Sequence, residues 1–350
     1  MKFVLLPQLS VVVVTGADAP KIANNLCTAN VLTLGVGDGS EAFITEVRGK
    51  MLGHVCLYRT DPGLILIGAG PSSSGASSTG EEAVSQAAAV VAHLDRYTLR
   101  EDSVPTDASG EYAGLLLDRE LAASLDASLA SLCDGVADGK LVARSITTAV
   151  SELLGDGAGV AGSLVCYSVP WWEGGAVLIL AEPSLVDRLA DRLRQRGHAD
   201  ASGVVEVEEA EFHRLRIEAF FPWYGVDVNA THLPQEADRD RIAISFTKGC
   251  YLGQETVARL DALGQVQKKL VRFRITCSEK PSPGTELRDG EKVVGRLTSV
   301  AADGLAQSLV MNSFVAMGFA RRSHFEPGSR ASGVTESGAE IQAVVDEVMR

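Results

Sequence analysis

Lys248-Gly249-Cys250-Tyr251-Leu252-Gly253-Gln254-Glu255 sets one thiol between two glycines, with a cation two residues before it and polar side chains after it. Glycine lets a backbone approach a ligand closely. A nearby cation and a helix N-terminus, here expected near Leu252, both favour thiolate over thiol and raise reactivity at neutral pH. Cys250 is therefore the candidate reactive thiol, with Lys248 as its candidate cation. A lone cysteine also reads as a small buried hydrophobe. The other five, at 27, 56, 133, 166 and 277, sit in apolar or Ala/Leu-rich surroundings and read as structural.

Upstream lies a second polar element, Thr231-His232-Leu233-Pro234-Gln235-Glu236, behind an aromatic cluster of Phe220, Phe221, Trp223 and Tyr224. A flat, nitrogen-rich heterocycle such as a pterin needs a carboxylate to accept paired hydrogen bonds, and apolar or aromatic surface for its faces. Glu236 can supply the first, and Trp223, Tyr224 or Tyr251 the second. Gly249, Gly253, Gln254 and Arg259 complete the candidate binding set. Taken singly, Glu236 reads as a surface or helix-start acid as readily as a ligand group. Residues 236 to 274 carry Lys or Arg at 239, 241, 248, 259, 268, 269, 272 and 274 against acids at 236, 238, 240, 255 and 261. This excess of positive charge suits the anionic tail of a glutamate-bearing cofactor, and equally a solvated mixed face.

The rest of the composition bounds the class. With 350 residues and 46% hydrophobic content, the chain can bury a sizeable core, and its length predicts two or three domains. A formal net charge of −13 disfavours a general nucleic-acid or anionic-membrane surface. None of the six cysteines lies in a CxxC pair or near a histidine at zinc-ligand spacing, so no metal site is expected. The six histidines form no i, i+4 pair, and only His232 falls inside a candidate site. Gly35-Val36-Gly37-Asp38-Gly39 lacks the spacing and the GK[ST] ending of a phosphate loop and reads as a turn. With no cleavage site, transit-peptide character or 18-residue apolar span, the reading is a cytoplasmic protein with free thiols.

Along the chain, the β-branched run at 10 to 15, then Gly16-Ala17-Asp18-Ala19-Pro20, predicts strand, turn and helix. Residues 43 to 67 read as a meander of short strands joined by Gly- and Pro-marked turns. The Ser-rich stretch 70 to 80 reads as a loop, and Glu81-Glu82 as the start of a helix to about Tyr97. Residues 121 to 132 and 138 to 153 are mixed. Val177-Leu178-Ile179-Leu180 reads as a strand before a helix to about Arg196, and 207 to 220 as a helix ended by Pro222. From Leu270 on, clean alternation predicts a small β-domain ending near 325, followed by a linker and a helical tail at 339 to 349. The expected division is 1–110, 111–265, a barrel at 266–325, and a linker with helical tail at 326–350.

At the residues quoted first, the chain resembles the YgfZ branch of the folate-binding family that also contains the glycine-cleavage T-protein. The signature continues through Val257-Ala258-Arg259 to Gly264, and supporting similarity includes Arg48-Gly49-Lys50-Met51, His93-Leu94-Asp95-Arg96-Tyr97 and Leu233-Pro234-Gln235-Glu236. The resemblance implies an α+β fold in three parts: two intertwined parts around a central hole for folate, and a C-terminal β-barrel. It places the pterin-binding acid on Glu236 and the signature thiol on Cys250. It implies tetrahydrofolate or a derivative as cofactor, and a role in maintaining iron–sulfur enzymes, with iron–sulfur proteins or assembly factors as partners.

The main rival is an aminomethyltransferase, which passes a one-carbon unit from a lipoyl-bound aminomethyl group to tetrahydrofolate. T-proteins carry an acidic pair in the strand after the early glycine turn, for proton handling near the reacting nitrogen. The matching stretch here, Gly49-Lys50-Met51-Leu52-Gly53-His54-Val55-Cys56-Leu57, contains no acid. Phe220-Phe221, where the family has a small and a β-branched residue, is expected to narrow the folate hole. A ligand-free protein-interaction scaffold is the third reading.

Overall fold

The β-branched run Leu9–Thr15 forms strand β2, one of eleven strands that share a single sheet in the computed structural model. The structure describes residues 1–70, 85–146, 164–199, 203–263, 266–307 and 312–347. Most of the Ser-rich loop, the helix start at Glu81-Glu82, the end of the 138 to 153 segment and Gly264 lie outside the described residues. The sheet strands are β1 (Lys2–Leu6), β2, β3 (Asp38–Thr45), β4 (Met51–Thr60), β5 (Gly63–Ala69), β6 (Val104–Asp107), β7 (Ala113–Asp118), β8 (Lys140–Ile146), β9 (Leu164–Val169), β10 (Ala176–Ala181) and β11 (Val205–Glu206). Their spatial order is β11-β1-β7-β10-β9-β8-β3-β4-β5-β2-β6.

The expected meander is present: β3, β4 and β5 pair antiparallel, with Phe43 opposite His54 and Leu57 opposite Leu66. The two halves interlock through the chain start. Strand β1 pairs with β7 and β11 of the second half, while β2 pairs with β5 and β6 of the first. Strand β8 then joins the halves edge to edge, setting Val142 opposite Asp38 of β3. Helices α1 (Ala19–Leu26) and α2 (Gln86–Arg96) bury Ile22, Leu26, Val90 and Leu94 against Val12, Val14, Leu57 and Leu66. In the second half, α3 (Arg119–Leu125), α4 (Ala127–Ser131) and α5 (Pro183–Ala199) place Leu121, Leu129, Leu189 and Leu193 in one core with Leu116 and Leu178. Each such fully buried aliphatic side chain contributes roughly 1.5–3 kcal/mol.

Helices α6 (Glu209–Glu218), α7 (Asp240–Ala243) and α8 (Gln254–Leu263) lead into the barrel. Its strands are β12 (Lys268–Cys277), β13 (Glu286–Asp289), β14 (Lys292–Gln307), β15 (Asn312–Arg321), β16 (Arg330–Val334) and β17 (Glu340–Val345), closed in the order β12-β15-β14-β13-β16-β17. The linker and helical tail expected over 326 to 350 are therefore corrected to two barrel strands. Glu340-Ile341-Gln342-Ala343-Val344-Val345 alternates with period two: Ile341, Ala343 and Val345 are buried among Phe273, Ile275 and Leu287. Pairing of β17 with both β12 and β16 closes the barrel and leaves neither strand with an open edge on that side.

The three parts meet in a further cluster in which Phe43 and Met51 of the first half touch Ile217, Phe220 and Val257, with Leu270, Val315 and Met317 of the barrel. Beside it, the guanidinium of Arg216 donates to Asp227 Oδ2 at 2.7 Å and to Ser299 Oγ at 2.8 Å. Ser299 and Thr298 in turn donate to Asp227 Oδ1 at 2.6 and 2.5 Å, which ties α6 to β14 by a buried charge pair.

Candidate functional site

Helix α8 begins at Gln254, two residues later than expected, with Gln254 Oε1 accepting from the Tyr251 N–H at 3.2 Å. Gly253 stands just before it at φ +83°, where a Cβ would lie 2.4 Å from the Glu46 carbonyl oxygen and 2.7 Å from Gly49 Cα. The close approach that this glycine permits is thus between two turns of the chain, not between backbone and ligand. Gly249 differs: it is exposed, with nothing within 4 Å of an added Cβ. Gly253→Ala is expected to lose more than about 2 kcal/mol of stability in urea denaturation, from left-handed strain plus the clash, and Gly249→Ala less than about 0.5 kcal/mol. Equal losses would contradict this division of roles.

Lys248 is buried. Its ammonium donates to the carbonyls of Asn24, Cys27 and Ala29 at 2.6, 2.9 and 2.6 Å and lies 5.0 Å from the Tyr251 ring centroid. These carbonyls belong to the end of α1 and the turn after it, a place where backbone partial charge favours a cation. The expected role of Lys248 as the cation of the thiol is corrected accordingly: it fastens this segment to the first half. Tyr251 is buried as well. Cys250 is exposed, while the other five thiols are buried and all six are unbridged. It opens on a cleft of about 380 Å³ between α1 and the segment after α2, lined by Lys21, Ile22, Asn25, Tyr97 and Glu101.

Glu236 belongs to another cavity. It sits in a single 3-10 turn, Pro234–Ala237, where its Oε2 accepts from the Leu233 N–H at 3.1 Å and lies 3.9 Å from Lys268 Nζ. Among the described residues its Oε1 makes no hydrogen bond. Burial pushes the carboxyl above its ordinary range, against the Leu233 N–H and the charges of Lys268 and Lys50. With Gln267, Lys268, Arg321, Arg322 and Ser323 it lines a groove of about 780 Å³. Lys268 Nζ also lies 4.7 Å from the centroid of the Phe319 ring, which stacks on His232 at 4.4 Å; no aromatic residue is among the described residues that line the groove. Burial and Lys268 push the His232 imidazole down to about 4, so it is neutral at pH 7.

The linings of the cleft and the groove share no residue. Between them runs the β3–β4 turn: Gly49 packs on Gly253, and the Met51 N–H donates to the His232 carbonyl at 3.1 Å. Of the remaining candidates, Arg259 is exposed on α8 and Tyr224 is half-buried, its hydroxyl 3.5 Å from the Met51 carbonyl. Trp223 is corrected to a core residue. It is 5% exposed, with Trp171, Phe212, His213 and Phe221 around its ring. The basic stretch is largely neutralised within the fold. Arg239 pairs with Glu41, Lys269 with Asp238, Arg272 and Arg274 with Asp346, Lys268 approaches Glu236, and Lys248 meets carbonyls.

Sequence reasoning missed a buried cluster at the meeting of the halves. Glu41 of β3 accepts from Arg239 Nε at 2.8 Å on Oε1 and from Nη2 on Oε2, and its Oε1 lies 2.8 Å from His54 Nε2 of β4. His54 stacks between Phe43 and Phe221 at 4.7 Å from each, so Phe221 fills the space beside this charged group. A carboxylate does lie next to the strand expected to carry the transferase acids, but both of its oxygens are taken and it is buried.

No protein-family model matches the chain. In the solved glycine cleavage system aminomethyltransferase T from Bartonella henselae the fold recurs with a TM-score of 0.72, at 16% identity, over 99% of this chain and 85% of that one. The chain has the aminomethyltransferase fold. Along its length this aminomethyltransferase-fold chain is similar to two kinds of protein. It is 25% identical over 339 residues to an aminomethyltransferase of Streptomyces avermitilis, covering 95% of this chain and 82% of the relative. It is 24% identical over 345 residues to the tRNA-modifying protein YgfZ of Cronobacter sakazakii, covering 94% and 90%. Against the YgfZ protein of an Escherichia coli strain, identity rises to 32% over a stretch of 120 residues, 33% of this chain and 35% of that one.

Proposed function

We propose that the chain is a tetrahydrofolate-binding accessory protein of the YgfZ type that supports the assembly or repair of iron–sulfur enzymes in the cytoplasm. The observation that carries the reading is Glu236. It is a half-buried carboxylate with one oxygen fixed by its own turn and the other unbonded among the described residues, at the edge of a groove large enough for a pterin. Such an acid accepts the paired N–H groups of a pterin, and its partial burial strengthens those bonds. Cys250, in its own cleft, is then the thiol that meets a partner protein rather than the folate.

Against aminomethyl transfer stands the acid-free stretch Gly49 to Leu57, with the neighbouring Glu41 locked by Arg239 and His54. The YgfZ relatives are named tRNA-modifying proteins. For this chain the reading is a small-molecule site that serves its process through client enzymes, because most cations of its basic stretch are engaged internally.

Tetrahydrofolate binding to the wild type and to Glu236→Ala tests the reading. Loss of a charge-assisted acceptor pair is expected to weaken binding about ten- to a hundredfold. A wild type that does not bind leaves the scaffold reading in its place. Turnover of a lipoyl-bound aminomethyl substrate, expected to be absent, would move the assignment to an aminomethyltransferase.

A further inference from the structure

The turn at 220–222 that follows α6 presents three successive carbonyl oxygens, and each meets a basic side chain from a different segment. The Phe220 carbonyl accepts from Arg239 Nη1 at 3.2 Å and the Phe221 carbonyl from Arg216 Nη1 at 3.4 Å, while the Pro222 carbonyl lies 3.2 Å from Nδ1 of His54 on β4. Phe220 enters this turn at φ +53°, a conformation that a phenylalanine keeps only when its surroundings hold it there. The two arginines stay charged at any working pH, whereas a histidine can lose its charge near neutrality.

His54 is 2% exposed, and both of its ring nitrogens face acceptors: Nδ1 the Pro222 carbonyl, and Nε2 the Glu41 carboxylate at 2.8 Å. Burial opposes the charge on Glu41, but Arg239 beside it holds the carboxyl down at about 2, so it is ionised at pH 7. Neither oxygen can then donate. A neutral imidazole has one N–H and would set its lone pair against one of these oxygens, where an unmet polar group is costly; the imidazolium donates to both. Phe43 and Phe221 stack on the ring, and aromatic faces attract a cation. The other groups around it leave this balance in place. Arg239 spreads its charge over both Glu41 oxygens and the Phe220 carbonyl, and Arg216 is paired with Asp227. The Cys56 thiol, pushed up by burial and then by Glu41, is neutral, and Gln86 of α2 offers only an amide oxygen to the His54 backbone N–H.

We propose that His54 is held as an imidazolium whose proton clasps β4 of the first half to the 220–222 turn of the second, so that this junction loosens as pH rises. Loss of the proton removes the bond to Pro222 or the bond to Glu41. The turn carries Phe221, which fills the space beside the cluster, and leads to Tyr224, whose hydroxyl reaches the Met51 carbonyl. The clasp therefore acts on the contact between the halves, whatever the Glu236 groove binds.

Nuclear magnetic resonance of the full-length protein labelled with nitrogen-15 tests this. Proximity to the Phe43 and Phe221 rings picks out His54 among the six histidines without a variant. At pH 7.5, where histidines of an unfolded chain are mostly neutral, its ring is expected to show two slowly exchanging N–H groups. A single N–H would overturn the proposal. Raising the pH until one N–H disappears is expected to shift the backbone amides of Phe221 and Trp223, and unmoved amides would overturn the clasp. Urea unfolding from pH 7.5 to 8.5 gives a second readout. A proton held by the folded state and released on unfolding lowers the folding equilibrium constant about tenfold per pH unit, a loss expected in the wild type beyond that of His54→Gln, which cannot titrate. Equal losses would also overturn it. Should His54→Gln not fold, the ring and amide signals of the wild type decide.

Discussion

Arg239→Ala is expected to cost about 3–5 kcal/mol of folding free energy, the range for breaking a buried ion pair from one side. Glu41 would keep its burial and lose the guanidinium that answers both its oxygens, leaving His54 as its one polar partner among the contacts described. The Phe220 carbonyl would also lose the Arg239 Nη1 donor at 3.2 Å, next to a Phe220 that already sits at φ +53°. Burial alone would push the Glu41 carboxyl up. The charges and hydrogen bonds of Arg239, with those of His54, outweigh it and hold the group down, from an ordinary 4.5 to about 2.

Because the folded value is the lower one, this group's contribution is fully present above pH 4.5 and is lost as pH falls towards 2. It amounts to about 3 kcal/mol. The measurement is urea denaturation from pH 7 to pH 2.5. The gap between wild type and Arg239→Ala should narrow at the acid end. A gap below about 1 kcal/mol at pH 7 would mean that water reaches and screens the cluster.

Asp227→Ala is expected to be comparably severe, about 3–5 kcal/mol. It strands Arg216, which is 1% exposed, and removes the acceptor shared by Thr298, Ser299 and the Trp223 N–H. Since these donors come from both the second half and the barrel, the loss should free the barrel first. Limited proteolysis is expected to cut between the two before the sheet unfolds. The double replacement Arg216→Met/Asp227→Leu should recover most of the loss, because an apolar pair leaves no uncompensated charge. If the double variant is as unstable as the single one, shape rather than charge holds this junction.

The local elements were readable where the signal lay between near neighbours in the chain. Val11 to Val14 announced a strand, residues 43 to 67 a meander, and the apolar surroundings of five cysteines their burial, leaving Cys250 as the exposed thiol. The tail was misread because Gly328, Gly333 and Gly338 look like a linker. In the fold, Gly333 lies within a strand and Gly338 sits in the hairpin turn that brings β17 back onto β16.

The candidate site divides in the same way. The motif at 248 to 255 and Glu236 could be picked out by residue type and spacing, and the α+β fold with its barrel followed from them by resemblance. That Glu236 and Cys250 open on separate cavities, and that Trp223 is core, could not be read there. Nor could the pairing of Glu41 with Arg239 across 198 positions, or the arrival of Arg321 and Arg322 beside Glu236. Strand period and turn chemistry depend on a few adjacent residues, so the sequence alone determined them. Electrostatic partners depend on distance in space, and only the closed sheet and barrel decided which charges were spent and which were left to face a ligand.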